Sequence, residues 1–156
     1  QHHAQTLEPA QARAYEFPSY SGGETAGLLT TLMEVDPAEI PAKYPTMWSD
    51  IQRSVKAAVA WLDTHRICDC DYVNIMEGRK PVDRNLVEAK GQRNVWARFY
   101  ELTTARPIFG MYDFVRLYSL DEVSLHRRMS YGWYSKNVER VIERDYPRWK
   151  QQHGIE

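Results

Sequence analysis

The chain has 156 residues, 43% hydrophobic and 26% charged, with a net charge of −1 and a sequence pI near 6.6. Those values fit one domain, or one piece of a larger one, with enough apolar residues for a real core. They argue against a nucleic-acid binder, which carries a basic excess. No apolar run is long enough to span a membrane. Within the neutral total, arginine outnumbers lysine 14 to 6, a bias toward the planar cation that pairs bidentately with oxyanions.

Residues 1–23 read as irregular, with Pro9, Pro18 and the Ser21-Gly22-Gly23 turn signal around a short turn or helix near residues 9–14. Gln1-His2-His3 lacks the basic and apolar regions of a leader peptide, and the chain opens without Met, as expected of a processed or truncated product. A helix is predicted over 23–34, burying Leu28, Leu29, Leu32 and Met33. Pro37, Pro41 and Pro45 make 36–46 a loop. Ser49-x-x-Gln52 reads as a capping box opening the strongest helix, up to Arg66, with Ile51, Val55, Ala58, Val59 and Leu62 as its buried stripe.

Cys68 and Cys70 are one residue apart, so on a strand their side chains diverge and no bridge between them is expected. His65, Cys68 and Cys70 lack the fourth ligand that tetrahedral zinc needs, and no metal site is predicted there. Alternation predicts a strand over 72–77, then a polar surface loop over 78–92. Further strands are expected at 95–101 and 112–118. Ser119-x-x-Glu122 is a second capping box, predicted to open a helix through Arg128. Asn137 is predicted to cap a final helix that buries Val138, Val141, Ile142 and Trp149.

The stretch WARFYELTTARPIF, residues 96–109, sets Arg98 and Arg106 among aromatic and apolar residues, and HRRMSYGWY follows at 126–134. Arginine among aromatics suits carboxylates, phosphates or sugars. Each such residue also has a plainer reading. Arg13 pairs with Glu16 on a surface, Arg98 lays its stem across a sheet, and Arg127 and Arg128 answer a helix dipole. His126 is read as a helix-surface residue. Trp96, Tyr131, Trp133 and Tyr134 either stack on sugars or fill a core.

Four separated motifs, TLEPAQARAYEFPSYSGGETAGLLTTLM, AAVAWLD, WARFYELTTARPIFG and HRRMSYGWY, occur in that order. Together they make the chain resemble the family 10 polysaccharide lyases, which are pectate lyases, from Thr6 to about Trp149. The pattern of elements alone reads as mainly α with minor β, and the resemblance implies part of an α/α toroid-like domain with a small antiparallel β element. It implies that residues 1–156 are the C-terminal portion of a single catalytic domain. It further implies anti-β-elimination on α-1,4-polygalacturonate, with Arg13 as base or as a carboxylate clamp, and Arg98, Arg106 and Arg127 as substrate ligands. Calcium is expected as cofactor, its ligands outside this chain, since no D-x-D-x-D-G loop occurs and no metal ligand is assigned here. The implied protein is a secreted or periplasmic monomer. Tyr112-Asp113 and Leu125-His126-Arg127-Arg128 depart from the family pattern and put subsite binding in question. Two other classes stay open: a non-catalytic uronan-binding module, and a helical interaction domain in which Arg13, Arg98 and Arg127 lie far apart.

Overall fold

The computed structural model describes residues 2–156; Gln1, part of the stretch read for a leader, lies outside them. The chain is 37% helical and 25% strand, with several small antiparallel sheets. It is neither mainly α nor toroidal, which corrects both the mainly α reading of the sequence pattern and the toroid implied by the resemblance. The physical reason lies in residues 70–88. There β3 (Cys70–Glu77) and β4 (Lys80–Glu88) form a long antiparallel hairpin where sequence predicted a strand and then a loop. The turn is the two residues Gly78-Arg79, with Gly78 at φ +62, a conformation open to glycine and a frequent hairpin signal. Polar residues of β4 conceal it because they find partners. Arg128 clasps Asp83 with two bonds of 2.8 and 2.7 Å, and Asn85 Nδ2 donates to Asp121 at 2.7 Å.

The other elements follow in chain order. A short strand β1 (Ser19–Ser21) leads into α1 (Gly23–Met33), and α2 (Met47–Thr64) follows a proline-rich link. Next come β2 (Ile67–Cys68), the β3–β4 hairpin, β5 (Asn94–Ala97) and β6 (Phe99–Glu101). Two-residue strands β7 (Phe109–Gly110) and β8 (Arg116–Leu117) pair with each other, so most of the strand expected at 112–118 is a turn. The helix α3 (Leu125–Ser130) precedes β9 (Tyr134–Ser135). The chain closes with α4 (Asn137–Arg140), a π-helical stretch Val141–Asp145 and α5 (Tyr146–His153).

Several local expectations are refined. Ser49 lies inside α2 and its hydroxyl donates to the Thr46 carbonyl at 2.8 Å, so the first capping box does not form. The Ser119–Glu122 box does form, but it opens only the 3-10 turn Leu120–Glu122; Val123 and Ser124 are extended or irregular before α3 begins. In α1 the buried face is Ala26 and Leu29, while Leu28 is 67% exposed. In the stripe read for α2, Ile51, Val55, Val59 and Leu62 are buried, each worth about 1.5–3 kcal/mol, whereas Ala58 is half-buried. Val138, Val141, Ile142 and Trp149 are buried as expected, although Asn137 itself forms no side-chain cap. Cys68 and Cys70 are free thiols, and among the described residues no helix is long and apolar enough to cross a membrane.

Two cores result. One joins α1, α2 and the C-terminal helices around Trp96; the other is aromatic, built from Tyr15, Tyr72, Val95, Phe109, Leu120, Val123 and Trp133. Strand β5 links them because neighbouring residues face opposite ways: Val95 enters the aromatic core and Trp96 the helical one. The Trp96 indole donates to the Leu62 carbonyl at 2.6 Å, fixing the end of α2 to this strand.

Candidate functional site

Arg98 sits where the predicted strand 95–101 breaks in two. Strand β5 pairs with β2 and β9, whereas β6 pairs with β1, so Arg98 stands between two sheets. Its backbone N–H donates to the Trp133 carbonyl at 2.7 Å, and its side chain is thereby turned toward Tyr131 and α1. The guanidinium bonds Glu24 at 2.6 Å and lies 4.7 Å from the centre of the Tyr131 ring. Its Nε is buried without a partner. Two cavities meet at Arg98 and Glu24. One, of about 330 Å³, runs past Gly23, Gly132 and Asn137; the other, of about 180 Å³, reaches Glu16, Phe17 and Ser19.

Arg127 projects from the last turn of α3 into the aromatic core and is only 5% exposed. Its guanidinium carbon lies 3.9 Å from the Tyr15 ring centre, 4.7 Å from Tyr131, 4.9 Å from Tyr112 and 5.8 Å from Trp133. Its Nη1 donates to the Tyr112 hydroxyl at 3.3 Å, while Nε and Nη2 are buried with no partner. A desolvated cation over aromatic faces gains about 2 kcal/mol per good contact, yet two of its donors have no acceptor among the described residues, which is costly for a buried group.

Arg13 lies on the irregular segment before β1. Its side chain is 66% exposed, and Nη1 bonds Glu16 Oε1 at 3.1 Å and the Tyr15 hydroxyl at 3.4 Å. Those contacts, the Tyr15 hydroxyl first and the Glu16 charge next, raise its pKa above the ordinary arginine value. Glu16 Oε1 also accepts from the Tyr131 hydroxyl at 2.8 Å. Burial, reinforced by that bond to Glu16, pushes the Tyr131 phenol up and keeps it protonated. Arg13, Arg98 and Arg127 therefore converge on one cluster, Tyr15, Glu16 and Tyr131. That is the arrangement the interaction-domain reading does not predict.

Arg106 is not part of this cluster. It is exposed, with its guanidinium 4.7 Å from the Tyr118 ring centre, beside a separate network in which Tyr118 donates to Glu101 at 2.8 Å. Arg128 serves the hairpin through Asp83, and His126 is exposed on α3. Trp96 and Trp133 are core residues, 0% and 1% exposed; Tyr131 and Tyr134 are half-buried. His65 stacks on Trp61 at 4.2 Å with Nδ1 2.7 Å from the Trp61 carbonyl, a packing role. Sequence reasoning missed Glu24 and the cage formed by Tyr15 and Tyr112, which come from segments far apart in the chain. Only the short spacing of Tyr15 and Glu16 to Arg13 was visible beforehand.

Among the described residues no group of three or more His, Cys, Asp or Glu side chains is placed to hold a metal ion. The arrangement is a cationic, aromatic-backed cluster, a chemistry suited to carboxylates and to the flat faces of sugars.

The pectic acid lyase family model matches residues 1–142, and the chain belongs to that family. Among solved structures, a family 10 polysaccharide lyase from Cellvibrio cellulosa superposes with a TM-score of 0.76 at 28% identity, covering 100% of this chain and 43% of its own. A mutant of the Cellvibrio cellulosa enzyme in complex with trigalacturonic acid gives a TM-score of 0.75 at 29% identity, covering 99% of this chain and 42% of that one. The chain thus spans less than half the length of the solved chains it matches. No curated protein sequence matches it.

Proposed function

We propose that the chain is the C-terminal portion of a pectate lyase catalytic domain, acting on α-1,4-polygalacturonate by anti-β-elimination. The observation that carries this reading is the convergence of Arg13, Arg98 and Arg127 on Tyr15, Glu16 and Tyr131, in a chain of the pectic acid lyase family. The reaction removes the proton at C5 of a uronate, breaks the C4–O4 bond and leaves an unsaturated uronate at the new non-reducing end. The difficulty is charge: abstraction adds electron density beside an ionised carboxylate. Fixed cations aimed at that carboxylate are therefore the main source of rate, each contact contributing about 10²–10³.

In this proposal Arg98 exchanges Glu24 for a substrate carboxylate and offers its planar fork to both oxygens. Arg127 supplies the second cation; Tyr112, 63% exposed and bonded to it, is the side chain whose displacement opens it. Arg106 binds a more distant uronate. The half-buried Tyr131 presents an apolar face for a sugar ring. Calcium belongs to the proposal only as a cofactor with ligands outside this chain. The described residues do not fit such a site, and no step here runs through it. The protein acts as a secreted or periplasmic monomer.

Arg13 is proposed as the base, worth about 10²–10⁴ in rate. Its contacts with Tyr15 and Glu16 raise its pKa, the wrong direction for a base. That observation favours a second reading, in which Arg13 clamps the carboxylate. The test is the ultraviolet absorbance of the conjugated product on polygalacturonate, for the full-length protein carrying this chain and its Arg13→Ala and Arg13→Lys variants. A base predicts that the Lys variant recovers activity as pH rises toward the lysine pKa of about 10.4. A clamp predicts a pH-independent loss for the Ala variant and no recovery of the Lys variant, whose hold on the carboxylate weakens as its ammonium deprotonates. Absence of product with retained polygalacturonate binding would leave a binding module in place of an enzyme.

A further inference from the structure

Glu16 is a carboxylate for which the proposed reaction has no direct use. It is 8% exposed, its Oε1 accepts from Arg13 at 3.1 Å and from Tyr131 at 2.8 Å, and its Oε2 is buried with no partner. Withdrawing a carboxylate from water is costly unless it is fully paired and hydrogen-bonded. The ion pair returns little, because the Arg13 side chain is 66% exposed and exposed pairs are screened. A neutral amide would serve the Tyr131 hydroxyl as well. Fold stability alone is therefore a poor reason for a charged group here.

The geometry around Oε1 offers a better one. Tyr131, which donates to that oxygen, sets its ring 4.7 Å from the guanidinium carbons of both Arg98 and Arg127. One atom of Glu16 thus ties the exposed Arg13 to the ring on which the other two arginines rest. The smaller cavity runs from Glu16 to Arg98, so this junction borders the open space.

We infer that Glu16 is a positioning residue: it holds Arg13 in register with Arg98 and Arg127, so that the three cations meet one stretch of acidic polymer together. The inference rests on the lyase reading of the same site. A long exposed arginine samples many rotamers when free, and catalysis by placed groups falls steeply when a group is misplaced. Glu16 acts through Arg13 and touches no reacting atom.

The test is a double-mutant cycle of Glu16→Gln and Arg13→Ala in the full-length protein, read by product absorbance and by thermal midpoint. Residues that act as a unit are non-additive. The expected result is a fall in kcat of about tenfold or more for Glu16→Gln at nearly constant KM, and no further fall when it is added to Arg13→Ala. A second variant, Tyr131→Phe, keeps the ring and removes the donor; its loss must likewise vanish in the Arg13→Ala background, and it carries the test if Glu16→Gln does not fold. Wild-type kcat in both variants, or losses that multiply with Arg13→Ala, would overturn the inference while an active wild type leaves the lyase reading standing. An inactive wild type overturns both.

Discussion

Arg127 is a cation withdrawn from water without a counter-ion. Three tyrosines and a tryptophan surround it, the nearest ring centre 3.9 Å away, and two of its nitrogens have no acceptor. Lysine there would keep the charge but lose the planar fork and its stacking. Arg127→Lys is therefore expected to weaken trigalacturonate binding about tenfold, or 1.4 kcal/mol, by titration calorimetry; unchanged affinity would remove Arg127 from the ligand set. At this scale the sequence was informative in part. The motifs ARAYE, WARFYE and HRR marked Arg13, Arg98 and Arg127, which the structure then brings together. The cage could not be read beforehand, because Tyr15, Tyr112 and Arg127 are joined only by tertiary packing. Arg106 carried the same local signal as Arg98 and yet lies over Tyr118, because it sits on the loop between β6 and β7 and not at the junction of two sheets.

Among the elements, the β3–β4 hairpin held by Asp83 and Arg128 was the least legible. Its second strand lacks apolar alternation because its partners are polar, and the Gly78-Arg79 turn was the one available signal. The Arg128 guanidinium holds the Asp83 carboxyl below the usual carboxylate range. A depressed folded-state pKa means that the unfolded chain takes up its proton first as pH falls. The stability from this pair is thus complete above the ordinary value near 3.8 and is lost as pH drops through the lower folded value. Asp83→Asn should lower stability by about 2 kcal/mol at neutral pH and flatten the acid limb of a plot of thermal midpoint against pH; an unchanged acid limb would discount the pair. Strand β7 supports the site differently. A Cβ on Gly110 would lie 2.8 Å from Phe17 Cε2 and 3.0 Å from Tyr15 Cα. Gly110→Ala must push backbone next to Glu16, and should cost about 1–3 kcal/mol in denaturant unfolding while lowering activity further than that loss of folding explains. A fully active, equally stable variant would show that this segment yields freely.

For the whole molecule, the helical core was legible where period and burial coincide, as in Ile51, Val55, Val59 and Leu62. The overall class was not. The toroid came with the family resemblance, whereas this stretch of chain divides into a helical core and an aromatic, strand-rich one joined by β5. The arginine site lies on the aromatic side of that division, where the break between β5 and β6 places Arg98 and the end of α3 places Arg127 and Tyr131.

The most direct measurement is a crystal structure of this chain with trigalacturonate. The account predicts a uronate carboxylate within hydrogen-bonding distance of the Arg98 or Arg127 guanidinium, a sugar ring against Tyr131, and Glu24 or Tyr112 displaced. A ligand bound elsewhere, with Arg98 still paired to Glu24 and Arg127 still capped by Tyr112, would contradict it.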